Sequence, residues 1–264
     1  MKITTQISLL ALLALTACSS PTFEEPITKN QRILSLETND VDDPNNKSYQ
    51  DFEYREDGRL SKTIRRVGDP VLNSENVYVY DGDLLTETYR YSEALNSKSG
   101  YKYYKYTNGQ VSEISYTSVI DGEEHYYTYN NFEWSGGKIT KYDYRLVRQL
   151  GTTYLRTGEY TYSGGNVSEF NLYSTDNGEK ELLTSITYEY DNKKNPLQYS
   201  YVNDFLQAAV FYSKNNLTKT TQTSLSSNTE TLYEQEYTYD GKWPITATNY
   251  YNGRASYQTT YVYE

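Results

Sequence analysis

The sequence has few of the residues on which common active sites depend. Its 264 residues include one cysteine, one histidine and one methionine. These counts exclude Cys-His catalysis, histidine-rich metal sites and a disulfide within the chain. Any Ser-His-Asp triad would need His125, in the stretch DGEEHYYTY, which we interpret as a solvent-facing strand residue. The glycines form neither a Walker nor a dinucleotide-binding motif, so the sequence predicts no cofactor.

Clustered positive charge is also scarce. The chain carries 25 Lys and Arg against 35 Asp and Glu, a net charge of −10. This balance argues against nucleic acid and anionic membrane surfaces as partners. The acidic run NDVDDPNN, residues 39–46, lacks the glycine and the closing glutamate of an EF-hand. We interpret it as a surface loop and predict no metal site.

One long apolar run is present, at residues 3–17 after Lys2, and it is too short for a mature membrane anchor. It ends in LTAC, which resembles the lipobox of bacterial lipoproteins. That resemblance implies cleavage before Cys18, which then carries diacylglycerol on its sulfur and a further acyl chain on its amine. Several acyl chains hold a protein firmly on a leaflet. The alternative is an ordinary signal peptide with a chance cysteine.

These features divide the chain into three parts. Residues 1–17 are the predicted lipoprotein signal peptide, 18–30 a lipidated flexible tether, and 31–264 a single β-repeat domain. Ser19 after Cys18, in place of Asp, resembles the signal for release to the outer membrane. The predicted location is therefore the outer membrane, lipid-anchored, at the periplasmic face or the cell surface.

Tyrosine is abundant, with 33 residues, and marks a repeat. A phrase typified by YTYSGGNVSEF returns every 22 to 28 residues. Its second aromatic residues are Tyr54, Tyr80, Tyr106, Trp134, Tyr162, Tyr190, Tyr212, Tyr239 and Tyr263. A fixed period of this size indicates that each copy is one supersecondary element.

Each copy is interpreted as a β-hairpin, FYSKNNLTK around Tyr212 included. Turn pairs such as Asn108-Gly109 and Gly164-Gly165 tolerate the positive φ that tight hairpin turns require. Counting out from the turns predicts three pairs beside them: Tyr162 with Val167, Tyr106 with Val111, and Trp134 with Ile139. It predicts three pairs further out: Tyr160 with Glu169, Tyr104 with Glu113, and Phe132 with Lys141. An aliphatic residue, a hydroxyl residue and a charge follow most turns.

Two strands per copy predict an all-β, antiparallel up-and-down meander of roughly 16–18 strands. Accumulated twist favours a closed or nearly closed barrel or shell with a partly wet lumen; the alternative is an open, curved single-layer sheet. Tyrosines fall on both faces: Tyr78 and Tyr80 are predicted on one, and Tyr101, Tyr103 and Tyr116 on the other. Alternate positions hold Thr, Glu, Lys, Ser and Tyr, which argues against a lipid-facing barrel wall.

The phrases YVYDGDLLTE and YTYDGKWPIT resemble the YD repeats of Rhs and teneurin-type shells. With these phrases and its lipobox, the chain is similar to an uncharacterised family of lipoproteins from Gram-negative anaerobes that have a porin-like fold. The resemblance covers residues 31–264 and implies fold and cellular location. It supplies no catalytic residues, and the chain has neither the long array nor the toxin module of Rhs proteins.

Three function classes remain, of which a transport-associated barrel ranks third. The leading hypothesis is a non-enzymatic binding or structural protein of the envelope, held on the membrane through Cys18, with a glycan or an envelope protein as partner. Glycans would be bound by Tyr and Trp faces, although Trp134 and Trp243 are also expected as cross-strand packing residues. The alternative is a carboxylate-dependent, glycosidase-like hydrolase with its site in the lumen.

Overall fold

The computed structural model describes residues 32–43, 45–148, 151, 153–175, 178–198 and 208–264. Within them lie sixteen strands: β1 Ile33–Asp40, β2 Lys47–Tyr54, β3 Leu60–Val67, β4 Ser74–Asp81, β5 Leu84–Ser92, β6 Ser97–Thr107, β7 Gln110–Ile120, β8 Glu123–Ser135, β9 Lys138–Arg148, β10 Thr153–Ser163, β11 Asn166–Ser174, β12 Glu181–Lys194, β13 Asn215–Ser224, β14 Thr229–Asp240, β15 Trp243–Tyr251 and β16 Arg254–Tyr263. A short helix, α1 (Ala208–Phe211), and a 3-10 turn (Pro70–Leu72) complete these elements. No helix in the described ranges is long and apolar enough to cross a membrane. The predicted signal peptide, Cys18 and the tether lie outside the described residues.

The strands form a closed antiparallel barrel, which confirms the predicted fold class. Each strand pairs with its neighbours in sequence, and β1 pairs with β16 to close the sheet. Closure leaves no strand edge for another chain to extend, which is how a meander of this length avoids edge-to-edge aggregation.

The turns follow the predicted chemistry. Gly164 and Gly165 have φ of +58° and +92°, the left-handed conformations that a primed two-residue hairpin turn requires. Beside this turn Tyr162 faces Val167, as predicted. The predicted pairs Tyr106 with Val111 and Trp134 with Ile139 are confirmed as well. The turns at residues 108–109, 136–137 and 164–165 lie at the same end of the barrel, which is named here the tight-turn end.

The pairs one step further from the turns are wrong by one residue. Tyr160 faces Phe170, Tyr104 faces Ile114, and Glu133 faces Lys141. A β-bulge after each turn is the cause, because it sets two residues of one strand against one of its partner. The hydroxyl residue of the phrase is the extra residue: Ser168 lies in the bulge and its hydroxyl donates to the Thr161 carbonyl at 3.1 Å.

The bulge changes which side chains share a face. Val167 and Phe170, three residues apart, are both buried, at 0% and 7% exposure. The same shift turns Tyr116 to the face that holds Tyr78 and Tyr80, where all three pack against one buried cluster. The prediction that Tyr116 faces the other side is therefore wrong.

Two buried clusters identify this face as the barrel lumen. The larger collects side chains from β5 to β11, and the smaller consists of Ile33, Phe52 and Leu60 from β1, β2 and β3. Leu197 packs against both clusters. One side chain can contact both groups of strands only from inside the closed sheet.

Part of the connection between β12 and β13 packs inside the lumen near the tight-turn end. Its described residues, 195–198 and 208–214, are named here the plug. Helix α1 contacts β11 and β13, and buried Ser213 accepts a hydrogen bond at 3.0 Å from the Val167 backbone N–H. Tyr212 therefore belongs to the plug, and the predicted hairpin around it is wrong, because β13 begins only at Asn215.

The outer face of the barrel carries ion pairs between neighbouring strands. Lys105 pairs with Glu113 at 2.7 Å, Lys141 with Glu133 at 2.6 Å, and Lys219 with Glu189 at 3.1 Å. The Glu or Lys of the repeated phrase supplies one member of each pair. Exposed pairs of this kind contribute little stability, but they keep the outer face polar.

Candidate functional site: a tyrosine wall in the lumen

Five tyrosines cover the lumen side of β7 to β10, above the plug. Tyr116, Tyr127, Tyr129, Tyr144 and Tyr154 are named here the tyrosine wall. The rings of Tyr116 and Tyr127 lie 4.5 Å apart and nearly parallel, at 6°. Tyr129 and Tyr144 follow with ring centres 4.9 Å apart. Such stacked and tilted contacts stabilise aromatic pairs beyond the area that they bury.

Strand register places the wall in three rows across the lumen. The outermost row is Ser118, His125 and Arg148; the middle row is Lys102, Tyr116, Tyr127, Leu146 and Tyr154; the innermost row is Ile114, Tyr129, Tyr144 and Arg156. The innermost row is the most buried, and Arg148 in the outermost row is exposed. Tyr116, Tyr127 and Tyr154 are half-buried, so solvent reaches their rings from the end opposite the plug.

Three cations lie against the wall. The guanidinium carbons of Arg148 and Arg156 are 5.0 and 5.5 Å from the centre of the Tyr154 ring. Lys102 Nζ is 5.4 Å from the centre of the Tyr116 ring. Cations at this distance are attracted to the negative face of an aromatic ring. The wall is thus both aromatic and positively charged.

His125 lies on the lumen side of the barrel. It is 6% exposed and faces Arg148 across the β8–β9 ladder, so the prediction of a solvent-facing residue is wrong. The reason is that side chains alternate along β8, so His125, Tyr127 and Tyr129 all point into the lumen. Its Nδ1 is buried and has no hydrogen-bond partner among the described residues.

Acidic side chains are absent from the three rows that the structure describes. Glu123 lies one row further out by strand alternation, beside the turn at residues 121–122. The whole chain has ten more acidic than basic residues. Even so, Arg148, which lies against the Tyr154 ring, makes no ion pair with a described residue. Burial raises the pKa of the Tyr129 and Tyr144 phenols above the ordinary value, so both stay neutral and can donate hydrogen bonds.

The structure places the other sequence-predicted aromatic residues as follows. Trp134 packs against the larger lumen cluster, and the Trp243 ring lies 5.9 Å from that of Tyr263. Both are thus in cross-strand packing positions. On the outer face Tyr101 lies within 6.1 Å of Tyr89 and Tyr103, a smaller aromatic group with Tyr103 47% exposed.

Sequence reasoning missed Arg148 and Tyr154 as site residues. The signal that could have found this wall is the alternation His125-x-Tyr127-x-Tyr129, which places three ring side chains on one face of one strand. The face itself could not be assigned, because the bulges after the turns reverse the alternation.

The barrel has the fold of porin-like proteins of known structure. A crystal structure of a porin-like protein from Bacteroides vulgatus ATCC 8482 is similar, with a TM-score of 0.57 at 12% identity, over 88% of this chain and 98% of that one. A second, a porin-like protein from Bacteroides uniformis ATCC 8492, has a TM-score of 0.52 at 11% identity with the same coverage. No family model and no curated protein matches the sequence. At these identities the likeness shows the fold.

Proposed function

We propose that this protein is a lipid-anchored protein of the outer envelope that binds carbohydrate in its lumen and catalyses no reaction. The proposal rests on the tyrosine wall, whose residues Tyr116, Tyr127 and Tyr154 are half-buried at the end of the lumen away from the plug. The envelope location is supported by the lipobox-like LTAC at residues 15–18 and by the fold shared with porin-like proteins.

The polar outer face supports anchoring through Cys18 over insertion of the barrel. Strands that face lipid need an apolar outward band, and charges in that band are costly near the bilayer centre. Here β6 to β9 present the pairs Lys105 with Glu113 and Lys141 with Glu133 outward. A barrel with this surface suits water, and the acyl chains on Cys18 would hold it at the membrane.

Carbohydrate fits the chemistry of the wall. One face of a pyranose ring carries mainly C–H groups, and its rim carries hydroxyls. A tyrosine offers a flat apolar face with a hydroxyl at its edge, and it loses little conformational entropy when it binds. Neighbouring rings such as Tyr116, Tyr127 and Tyr144 can therefore contact a sugar face while phenol and guanidinium groups bond to its rim.

The test is a glycan-array screen with the full-length protein, purified in a polyoxyethylene detergent, since glycoside detergents would compete for the site. The expected result is binding to one glycan class that the free sugar displaces. A blank array, or signal that free sugar leaves unchanged, would contradict the proposal and leave a structural or protein-binding role.

The hydrolase hypothesis requires two carboxylates that face one lumen site. The three described rows of the wall contain none, so the geometry supports binding better. Chromatography of any bound glycan after incubation with the protein tests the non-enzymatic part directly. An intact glycan is the expected result, and shortened products would contradict it.

A further inference from the structure

We infer that the lumen site takes an acidic carbohydrate, a pyranose that bears a carboxylate or a sulfate, with its anionic group held by Arg148 beside His125. This inference deepens the proposed function and depends on it. It fixes the charge of the ligand, where the proposed function fixes only its class.

The first argument is the position of Arg148. Its guanidinium lies 5.0 Å from the centre of the Tyr154 ring, and Arg156 approaches the same ring to 5.5 Å. Arg148 makes no ion pair with a described residue, so among these residues the ring offsets only part of its charge. An anion between the guanidinium and the ring edge would offset the rest and add charge-assisted hydrogen bonds.

The second argument is the unpartnered nitrogen of His125. The side chain is more than nine-tenths buried, and Nδ1 has no hydrogen-bond partner among the described residues. Directly opposed residues of an antiparallel ladder have Cβ atoms roughly 4.5–5.5 Å apart. A ligand oxygen between His125 and Arg148 can therefore bond to both, and a buried polar atom left unpaired is otherwise costly.

The third argument is the local charge. Lys102 and Arg148 lie in these rows of the wall, neither makes an ion pair with a described residue, and none of the described residues in the rows is acidic. The chain as a whole has a net charge of −10. The wall is thus a positive site on an acidic protein, which attracts anionic ligands and disfavours neutral sugars in comparison.

The test compares sugars that share a backbone and differ in charge. Isothermal titration of the full-length protein would use an oligogalacturonate and its neutral methyl ester in one arm, and a sulfated oligosaccharide and its unsulfated form in the other. We expect at least tenfold tighter binding of the acidic member in one arm, weakened as NaCl is raised. The arm that responds distinguishes carboxylate from sulfate.

The variants are Arg148→Gln in the lumen and Arg145→Gln as its matched control. Arg145 lies on the same strand, is exposed and points outward. Arg148→Gln should weaken binding of the acidic sugar about tenfold and that of its neutral counterpart much less, while Arg145→Gln binds both like the wild type.

The outcomes separate this inference from the proposed function. Equal binding of acidic and neutral members, neutral binding alone, or unchanged acidic binding in Arg148→Gln would overturn the inference and leave carbohydrate binding in place. Failure of every acidic and neutral sugar to bind would overturn both. Unchanged near-ultraviolet circular dichroism of both variants shows that any loss is not misfolding.

Discussion

The Tyr106 hydroxyl donates a hydrogen bond of 2.8 Å to the backbone carbonyl of Leu85 on the neighbouring strand. The same bond joins Tyr80 to Leu60, Tyr162 to Ile139, and Tyr54 to Ile33. Each of these four anchor tyrosines thus satisfies a carbonyl of the preceding strand, at the end of the barrel where no turn connects the two strands. Tyr190 and Tyr239 donate instead to the Ala209 carbonyl and to the Asp191 carboxylate. This contact explains why the anchor is so often Tyr and not Phe.

Loss of this hydroxyl should destabilise the barrel. We expect Tyr106→Phe to lower the free energy of unfolding by about 1 kcal/mol, because the Leu85 carbonyl loses its partner. Tyr103→Phe, on the outer face of the same strand, is the control and should change it little. Urea denaturation followed by tryptophan fluorescence measures both. Equal stability of the two variants would contradict the assigned role of the hydroxyl.

Gly158 provides the space for the Tyr142 ring. A Cβ at Gly158 would lie 2.5 Å from Tyr142 Cζ, and Tyr142 is 0% exposed, so the ring has little room to move. We expect Gly158→Ala to cost about 1–3 kcal/mol of stability, as overpacked cores do. Gly68→Ala, with no atom within 4 Å and no positive φ, should be nearly neutral.

A double-mutant cycle tests the cause of that cost. In a Tyr142→Leu background the Gly158→Ala substitution should cost clearly less, because the ring that it meets has been removed. If the cost is the same in both backgrounds, the effect comes from the backbone of β10 and not from the ring.

Buried tyrosines should make the barrel unstable in alkali. Burial raises the pKa of Tyr54 and of Tyr261 from the ordinary 10.0 to about 12, although Arg32 lowers the first and a hydrogen bond with Tyr237 the second. The folded state therefore keeps protons that the unfolded state releases above pH 10. The free energy of unfolding therefore keeps its full value below pH 10 and falls as the pH rises from 10 through 12.

At pH 11 each such phenol should lower the free energy of unfolding by about 1.4 kcal/mol relative to pH 8. Urea denaturation at the two pH values measures the difference, and phenolate absorbance shows how many tyrosines ionise before the barrel unfolds. Equal stability at pH 8 and pH 11 would be inconsistent with neutral, buried phenols.

Cys18 is expected to decide the cellular location. Cys18→Ala should move the protein from the outer-membrane fraction to the soluble fraction, because it removes the site of the acyl chains. Metabolic labelling with palmitate should mark the wild type and not the variant. A variant that remains in the outer membrane after a high-salt wash would show that another part of the protein holds it there.

The sequence predicts the hairpins because their turns are encoded locally. Gly164 and Gly165 fix the turn, and the turn fixes the pair Tyr162 with Val167. The next pair depends on the bulge at Ser168. The only sequence signal for that bulge is a hydroxyl residue, and regular strands without a bulge often carry such residues too. The orientation of the Tyr116 side chain toward the lumen depends on the equivalent bulge in its own hairpin.

The tyrosine wall and the plug could not be predicted for a different reason. Tyrosines such as Tyr103 and Tyr127 occupy both faces, so composition does not separate lumen from surface. The plug depends on tertiary contacts of residues such as Leu197 and Ser213, while its sequence around Tyr212 resembles the repeat. The number of strands favoured a closed or nearly closed sheet over an open curved one, and the pairing of β1 with β16 decides between them.

The most direct measurement of the central claim, binding inside the lumen, compares two tyrosine variants by isothermal titration with the glycan that the array identifies. Tyr154→Leu removes a ring from the wall, and Tyr103→Leu removes an exposed ring from the outer aromatic group. We expect at least tenfold weaker binding for Tyr154→Leu and wild-type binding for Tyr103→Leu. The reverse pattern would place the glycan on the outer surface and contradict lumen binding.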